Sequence, residues 1–136
     1  MVTLDEMFAI EAAKGRRKQH NRHDEEQLQV ACVRWFRLQY PKLSALFYHI
    51  PNEGKRTIQA GARAKAAGIV SGAPDLKLDV ARHGYSTMDI ELKTKTGKQS
   101  PNQKEWQNVA ESNGHLYVVC RSLEEVMAKV NEYLKD

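Results

Sequence analysis

The most regular hydrophobic pattern in the chain lies between Asp24 and Tyr40. Its apolar residues recur three or four positions apart, and a proline follows at position 41: Leu28, Ala31, Cys32, Trp35, Phe36 and Leu38. This spacing predicts an amphipathic helix that ends before the proline. A second apolar stripe, between Leu123 and Leu134, follows Ser122 and Glu125 at capping-box spacing and predicts a helix at the end of the chain.

Three shorter helices are predicted from the residues that begin and end them. Such a helix opens with a capping residue or a proline at its first position, and it closes at a glycine. The signals are Thr3 with Glu6 at the start of the chain, Gly68 after residues 57–67, and Ser100, Pro101, Gln103 and Asn113-Gly114 for a third helix.

Four segments have the patterns of β-strands. Residues 46–50 and 116–120 are nearly continuous apolar runs, whereas residues 76–80 and 88–92 alternate between apolar and polar. The alternation predicts two half-buried strands, and Gly84 between them predicts a hairpin turn. Strands interspersed with helices predict an α/β (α+β) fold, in which one mixed central sheet is flanked by helices.

Residues 14–23, KGRRKQHNRH, contain no apolar side chain that a core could bury. This composition predicts a mobile basic arm, which either contacts phosphate or stays solvated. The predicted organisation is therefore a helix and arm over residues 1–23, followed by one domain over residues 24–136.

Composition narrows the class of protein. The 136 residues are 41% apolar and 28% charged, enough for one modest core. No apolar run is long enough to span a membrane, and Asp5 and Glu6 near the start are atypical of a secretory signal, so we expect a cytoplasmic protein. Cys32 and Cys120 lie far apart without metal-site spacing, which predicts reduced core residues. The formal net charge of +4 favours a polyanionic partner without identifying one.

The predicted hairpin brings three charged residues together. Glu91 and Lys93 lie two positions apart on one strand, so they share a face at a separation of about 7 Å. With the turn centred near Gly84, Asp75 lies across from Lys93 and diagonal to Glu91. The alternative interpretation is an exposed hairpin with ordinary cross-strand ion pairs.

This group of charges also predicts a cofactor. Two adjacent carboxylates repel each other, and a divalent cation allows both to stay ionised. A few oxygen ligands with room for water favour Mg²⁺ or Mn²⁺. Lys93 would then orient a water for attack on phosphorus and stabilise charge on the phosphate oxygens.

Several motifs resemble, in order and spacing, the virus-type replication-repair nuclease (VRR-NUC) domain of the PD-(D/E)xK superfamily. They are HIPN at residues 49–52, SGAPDL at 71–76, IELKT at 90–94, GKQSPNQ at 97–103 followed by Trp106, and NGHLYVV at 113–119. The resemblance runs from about Asp24 to the end of the chain. It implies a restriction-endonuclease-like core and a metal-dependent deoxyribonuclease activity.

The resemblance also implies roles for individual residues. Asp75 and Glu91 become metal ligands together with the Leu92 backbone carbonyl, and Lys93 becomes the catalytic lysine. Gln103 matches a glutamine beside the site, although it also has the position of a capping-box residue. A first-helix glutamate belongs to the family's site; Glu25 fits it better than Glu26, because Glu25 shares a helical stripe with Leu28 and Cys32. Asn52 either contacts DNA or holds a turn.

Basic residues flank this predicted site on both sides. The candidates for sequence-independent contacts to DNA phosphates are Lys55, Arg56, Arg63, Lys65, Lys95 and Lys98. Stand-alone bacterial and phage members of the family resemble homodimers that cut branched DNA, including four-way junctions. We therefore expect a homodimer that acts on branched DNA in replication or repair, since two strands at a junction need two sites.

Two other functions are compatible with this sequence. One is a catalytically silent nucleic-acid-binding module that keeps the fold, but adjacent carboxylates repel DNA unless a cation lies between them. The other is a restriction-type nuclease, which would need an element that recognises a base sequence. No such element is evident in the chain.

Overall fold

The computed structural model describes residues 4–51 and 57–136; the side chains of residues 4 and 7–22 lie outside this description. The helices are α1 (Leu4–Gln39), α2 (Ile58–Ala66), α3 (Pro101–Ser112) and α4 (Leu123–Leu134), with a 3₁₀ helix at Pro41–Leu46. The strands are β1 (Phe47–His49), β2 (Leu76–Leu78), β3 (Thr87–Leu92) and β4 (His115–Cys120). No helix within the described ranges combines the length and apolarity needed to cross a membrane.

Helix α1 corrects the prediction for residues 14–23. The segment interpreted as a mobile arm is helical, and it is continuous with the helices predicted before and after it. Lys, Arg and Gln dominate the segment and have high helix propensity, and no proline interrupts it. The absence of apolar residues showed only that no core covers the segment, which is a different property from its backbone conformation.

The sheet has the strand order β1-β2-β3-β4. Strands β1, β2 and β3 are antiparallel neighbours, whereas β4 runs parallel to β3. Helix α3 lies in the connection between β3 and β4, as a parallel pair requires. This arrangement confirms the predicted mixed sheet with flanking helices.

The register of the hairpin differs from the predicted one. Leu76 pairs with Ile90 and Leu78 pairs with Met88, so Asp75 lies opposite Glu91 and not opposite Lys93. The turn itself is close to its predicted place, with Arg82 bridged to Tyr85. Between this bridge and the Leu78–Met88 pair, the β2 side has one residue more than the β3 side. Such a bulge shifts the pairing beyond it, and the turn residues give no sign of it.

The apolar face of the sheet is covered by α1 and α4. Its fully buried members include Leu76, Leu78, Met88 and Ile90, together with Cys32 and Phe36 from α1 and Val126 and Val130 from α4. The rings of Phe36 and Phe47 stack with centroids 4.2 Å apart. Both cysteines are free and buried, as predicted.

The opposite face of β3 is also buried, which corrects the prediction of a half-buried strand. Asp89 is 0% exposed and Glu91 is 3% exposed. Helix α3 packs on this side, where its Trp106 ring lies 6.0 and 6.1 Å, between centroids, from the rings of His115 and Tyr117 on β4. Alternation in sequence therefore identified which residues share a face of β3, but not that α3 covers the polar face.

Candidate active site

The loop before Asp75 is held tightly against the start of α3. Gly72 has φ +88°, and a Cβ there would lie against the Asn102 carbonyl oxygen and 2.6 Å from the carbonyl carbon. The Asn102 side-chain amide also donates to the Ser71 hydroxyl at 3.0 Å. Glycine at position 72 is thus required by both backbone conformation and space, and this contact fixes Asp75 relative to α3.

The backbone and side chain of Asp75 are each held by hydrogen bonds. Its carbonyl oxygen accepts from the Ile50 N–H at 3.0 Å and lies 2.7 Å from Nδ1 of His49. Its Oδ2 accepts from the Leu92 N–H at 2.7 Å. The carboxylate is therefore directed across the sheet to the end of β3, next to Glu91.

Glu91 is the most buried carboxylate of this group. Its Oε1 accepts from Nε2 of Gln103 at 3.1 Å and lies 3.9 Å from Nζ of Lys93. The Tyr117 hydroxyl donates to Oε2 at 3.5 Å, and Tyr117 in turn accepts from Nε2 of Gln99 at 3.3 Å. The carboxylate is oriented from both sides by neutral donors.

The two interpretations of Gln103 both hold in the structure. Its side-chain Oε1 accepts from the Ser100 backbone N–H at 2.8 Å, and its backbone N–H donates to the Ser100 hydroxyl at 3.2 Å; together these two bonds form a capping box. Its Nε2 donates to Glu91. One side-chain amide thus caps α3 with its oxygen and holds the buried carboxylate with its nitrogen.

Lys93 follows the last residue of β3, and its side chain is 12% exposed. Its backbone N–H donates to the Cys120 carbonyl at 3.0 Å, which continues the pairing with β4. The turn that follows is held by Arg121, whose Nη1 donates to the carbonyls of Thr94 and Gly97 at 2.6 and 2.7 Å. Arg121 thereby limits the movement of the segment on both sides of Lys95.

Helix α1 brings Glu25 to the same place. Glu25 is half-buried, whereas Glu26 is exposed. Burial raises the pKa of Glu25; Lys93 lowers it, Asp75 raises it, and a backbone hydrogen bond from Thr94 lowers it. These influences place Glu25 near Lys93 and Asp75, so the structure favours Glu25 over Glu26 as the first-helix acidic residue at this site.

The site has an excess of buried negative charge. Burial, followed by the adjacent Asp75, raises the pKa of Glu91 to about 9, and Lys93 opposes this rise only in part. Asp89, two residues earlier on the same face, is different because it lies 3.2 Å from Nζ of Lys77 and 2.7 Å from Nδ1 of His115. Asp89 has two close basic partners, whereas the nearest described ammonium to Glu91 is 3.9 Å away.

The other predicted DNA-contacting residues divide into two groups. Arg63 and Lys65 are exposed in the last turn of α2, and Lys95 and Lys98 are exposed in the segment between β3 and α3. Asn52, Lys55 and Arg56 fall in residues 52–56, outside the described part of the chain.

Sequence reasoning missed the roles of Tyr117, Gln99 and Arg121. Tyr117 lies within the NGHLYVV motif, and no role at the site was predicted for its side chain. The parallel register pairs it with Asp89 and places it on the polar face beside Glu91. A tyrosine alternating with Leu116 and Val118 was the available signal. Its use requires knowing that β4 pairs with β3, which local pattern does not determine.

Comparisons with known proteins identify a family for most of the chain. A family model of the VRR-NUC domain matches residues 23–124, which include Glu25, Asp75, Glu91, Lys93 and Gln103. A solved structure described as a VRR_NUC domain protein is 27% identical, with a TM-score of 0.70 over 81% of this chain and 87% of that chain. No match was found among curated proteins.

Proposed function

Because the chain belongs to the VRR-NUC family of nuclease-type domains, we propose that it is a metal-dependent endonuclease that hydrolyses phosphodiester bonds in DNA. The observation that carries the proposal is the juxtaposition of Asp75, Glu91 and Lys93 at the junction of β2 and β3. Glu91 is buried opposite Asp75, with the Lys93 ammonium 3.9 Å from its Oε1.

The donor set fits a small divalent cation. Asp75 and Glu91 offer carboxylate oxygens side by side. They are two side-chain ligands only, since no group of three or more His, Cys, Asp or Glu side chains that could hold a metal ion occurs among the described residues. The Leu92 carbonyl and water would supply the remaining oxygens, an arrangement typical of Mg²⁺ or Mn²⁺. The raised pKa of Glu91 supports the same conclusion, since a nearby cation would relieve the repulsion that causes part of it.

Each residue of the site has a distinct task in hydrolysis. Asp75 and Glu91 would hold a divalent cation, which would supply positive charge to offset that of the phosphate. Lys93 orients the attacking water and offsets charge on the phosphate oxygens. The water oxygen bonds to phosphorus and gives up one proton to solvent, the bond to the bridging oxygen breaks, and that oxygen takes up one proton from solvent. Gln103 and Tyr117 hold Glu91 in place, and Glu25 completes the acidic rim.

The substrate is proposed to be branched DNA. Arg63, Lys65, Lys95 and Lys98 offer exposed charges on both sides of the site, suited to phosphates and not to base edges. We therefore expect the protein to recognise the structure of the DNA and not its base sequence. A homodimer would provide the two sites that cutting both strands of a four-way junction requires.

The test is cleavage of labelled four-way junction, flap, single-stranded and linear duplex DNA with Mg²⁺, Mn²⁺ or EDTA. Wild-type protein should cut with either metal and be inactive in EDTA. Asp75→Asn and Lys93→Ala should each lose at least about 100-fold in rate, because each removes a group from the reacting centre.

Matched controls are available on α4, on the other side of the sheet. Glu132→Gln and Lys129→Ala make the same charge changes at exposed positions and should cut like wild type. Cleavage by Lys93→Ala at the wild-type rate would refute the mechanism. Tight binding that is insensitive to metal, without cutting of any substrate, would instead identify a silent binding module.

A further inference from the structure

The turn from Thr94 to Gly97 lies between two parts of the fold. The turn is closed by a hydrogen bond from the Gly97 N–H to the Thr94 carbonyl at 3.2 Å. On one side, the Thr94 backbone is hydrogen-bonded to Glu25 of α1. On the other side lies Arg121, in the connection between β4 and α4. The turn is therefore held from both sides, although Lys95 within it is exposed.

Arg121 holds both ends of this turn with a single nitrogen. Its Nη1 donates to the Thr94 carbonyl at 2.6 Å and to the Gly97 carbonyl at 2.7 Å. Hydrogen bonds from a charged donor are shorter and stronger than those between neutral groups. The Arg121 backbone is itself fixed, because its N–H donates at 2.7 Å to Oε2 of Glu125 in the first turn of α4. Arg121 therefore ties the turn to the start of α4.

The turn packs on the stem of the Lys93 side chain. A Cβ at Gly97 would lie 3.5 Å from Cδ of Lys93, at ordinary van der Waals distance, and 3.1 Å from Oγ1 of Thr94. Glycine thus lets the turn approach the lysine stem closely. The far end of this stem is the ammonium, 3.9 Å from Oε1 of Glu91. The position of the turn therefore limits the conformations that the ammonium can adopt.

The Lys93 side chain depends on this packing for its direction. In the part of the chain that the structure describes, Nζ of Lys93 makes no hydrogen bond, and its ion pair with Glu91 spans 3.9 Å. Holding a lysine side chain in one conformation costs up to about 2 kcal/mol of rotamer entropy. A surface that packs on the stem lowers the number of competing conformations, and Arg121 keeps that surface in place.

We propose that Arg121 is a positioning residue for the nuclease reaction: it ties the turn from Thr94 to Gly97 against the stem of Lys93 and so keeps the ammonium directed at the reacting phosphate. The inference rests on the proposed nuclease function, in which Lys93 orients the attacking water. In this role Arg121 acts through the turn and touches neither metal nor DNA. An exposed arginine beside a basic segment is thereby assigned to turnover and not to the binding of DNA.

The test separates turnover from DNA binding. For the full chain carrying Arg121→Ala, we compare the single-turnover cleavage rate at saturating protein in Mg²⁺ with the Kd for the same labelled junction in EDTA. The rate should fall at least about tenfold, because a displacement of about 1 Å at a reacting group can cost about 100-fold. The Kd should change less than about twofold, and the slope of log Kd against log salt by less than about 0.5, since no phosphate contact is lost.

A phosphate contact at Arg121 would give the opposite result. The slope would then fall by about 1 and the Kd would rise, while the rate at saturation stayed normal; this outcome would overturn the proposal. Salt also separates the hydrogen bonds from long-range attraction. The ratio of the wild-type rate to the Arg121→Ala rate should be equal at low and high salt, because screening weakens only the long-range effect. A ratio that disappears at high salt would contradict the clamp.

Arg121→Lys tests the hydrogen bonds at constant charge. Because both bonds to the turn come from one nitrogen, an ammonium with several N–H donors can replace them in part. This variant should cleave faster than Arg121→Ala, and equal rates for the two would count against the proposal. The matched control is Arg34→Ala, at an exposed position of α1 about 180° around the helix axis from Glu25. It should cleave like wild type.

Backbone ¹⁵N relaxation tests the clamp without reference to cleavage. The order parameter of the Gly97 amide should be about 0.85 in wild type and below about 0.6 in Arg121→Ala, with Ile90 unchanged. An unchanged value at Gly97 would show that Arg121 does not hold the turn and would overturn the proposal. Failure of the nuclease function would appear separately, as absence of metal-dependent cleavage by wild-type protein in which the turn is nevertheless rigid.

Discussion

Replacing Gly72 by alanine tests how closely the loop before Asp75 must approach α3. The new Cβ would meet the backbone of Asn102, with the carbonyl carbon only 2.6 Å away, so α3 or the loop must move. An L residue at φ +88° costs about 1 to 2 kcal/mol, and overpacking adds about 1 to 3 kcal/mol. We expect a loss of about 3 kcal/mol in the free energy of unfolding, or roughly 10 °C in Tm.

The movement should also reach Glu91. Asn102 precedes Gln103, whose Nε2 holds Glu91 at 3.1 Å, so a displaced first turn of α3 loosens this hydrogen bond. Nuclease activity, measured well below the Tm of the variant, should therefore fall by about tenfold or more.

A matched control exists in the hairpin turn. Gly84 has φ +86°, but a Cβ there would meet nothing within 4 Å. Gly84→Ala should thus show only the conformational cost, about 1 to 2 kcal/mol, with normal activity. Urea unfolding at 25 °C compares the two variants. Equal destabilisation by Gly72→Ala and Gly84→Ala would refute the close contact between the loop and α3.

Two further predictions concern Glu91 and its partner. Gln103→Glu retains an oxygen to cap Ser100 but replaces the N–H that serves Glu91 by a second carboxylate oxygen. Because the site already has an excess of negative charge, this variant should have a lower Tm than wild type and should cleave DNA more slowly. Unimpaired cleavage would contradict the role of the amide. The pKa of Glu91 is raised from 4.5 to about 9, so the folded chain binds the Glu91 proton more tightly than the unfolded chain does. The contribution of this proton to the free energy of unfolding is therefore complete below pH 4.5 and is lost as the pH rises toward 9. In EDTA, wild type should lose on the order of 2 kcal/mol between pH 6 and pH 8, and Glu91→Gln should lose less; parallel urea-unfolding profiles for the two proteins would refute this.

Helix and strand positions followed from short-range patterns, whereas their connections did not. Ser100 and Ser122 each cap a helix as predicted, because a cap depends only on residues three positions away. The continuity of α1 through residues 14–23 was missed because polarity was taken as a sign of irregular backbone. The 3₁₀ helix after Pro41 was missed as well, since its residues have no distinctive periodicity.

The candidate site was predictable in membership but not in geometry. Asp75, Glu91 and Lys93 were brought together because alternation identifies one face of a strand, and a shift of two residues in register leaves the faces unchanged. The predicted partner of Asp75 was wrong by two residues: the turn is centred between His83 and Gly84, which accounts for one residue, and the bulge beside it accounts for the other. Neither feature has a local signature in the sequence. Tyr117 and Arg121 depend on β4 pairing in parallel with β3, a long-range contact that only the folded chain reveals.

The position of β3 at the interior of the sheet determines which parts of the site open together. Every residue of β3 is buried, and the strand is hydrogen-bonded to neighbours on both edges. Amide hydrogens of Ile90 and Glu91 should therefore exchange with solvent only when the whole domain unfolds. Helix α2 has no buried residue, so its amides, including those of Arg63 and Lys65, should exchange through local opening. The chain thus combines a site strand, β3, that opens only when the core unfolds with a basic helix, α2, that can open locally while the core stays folded.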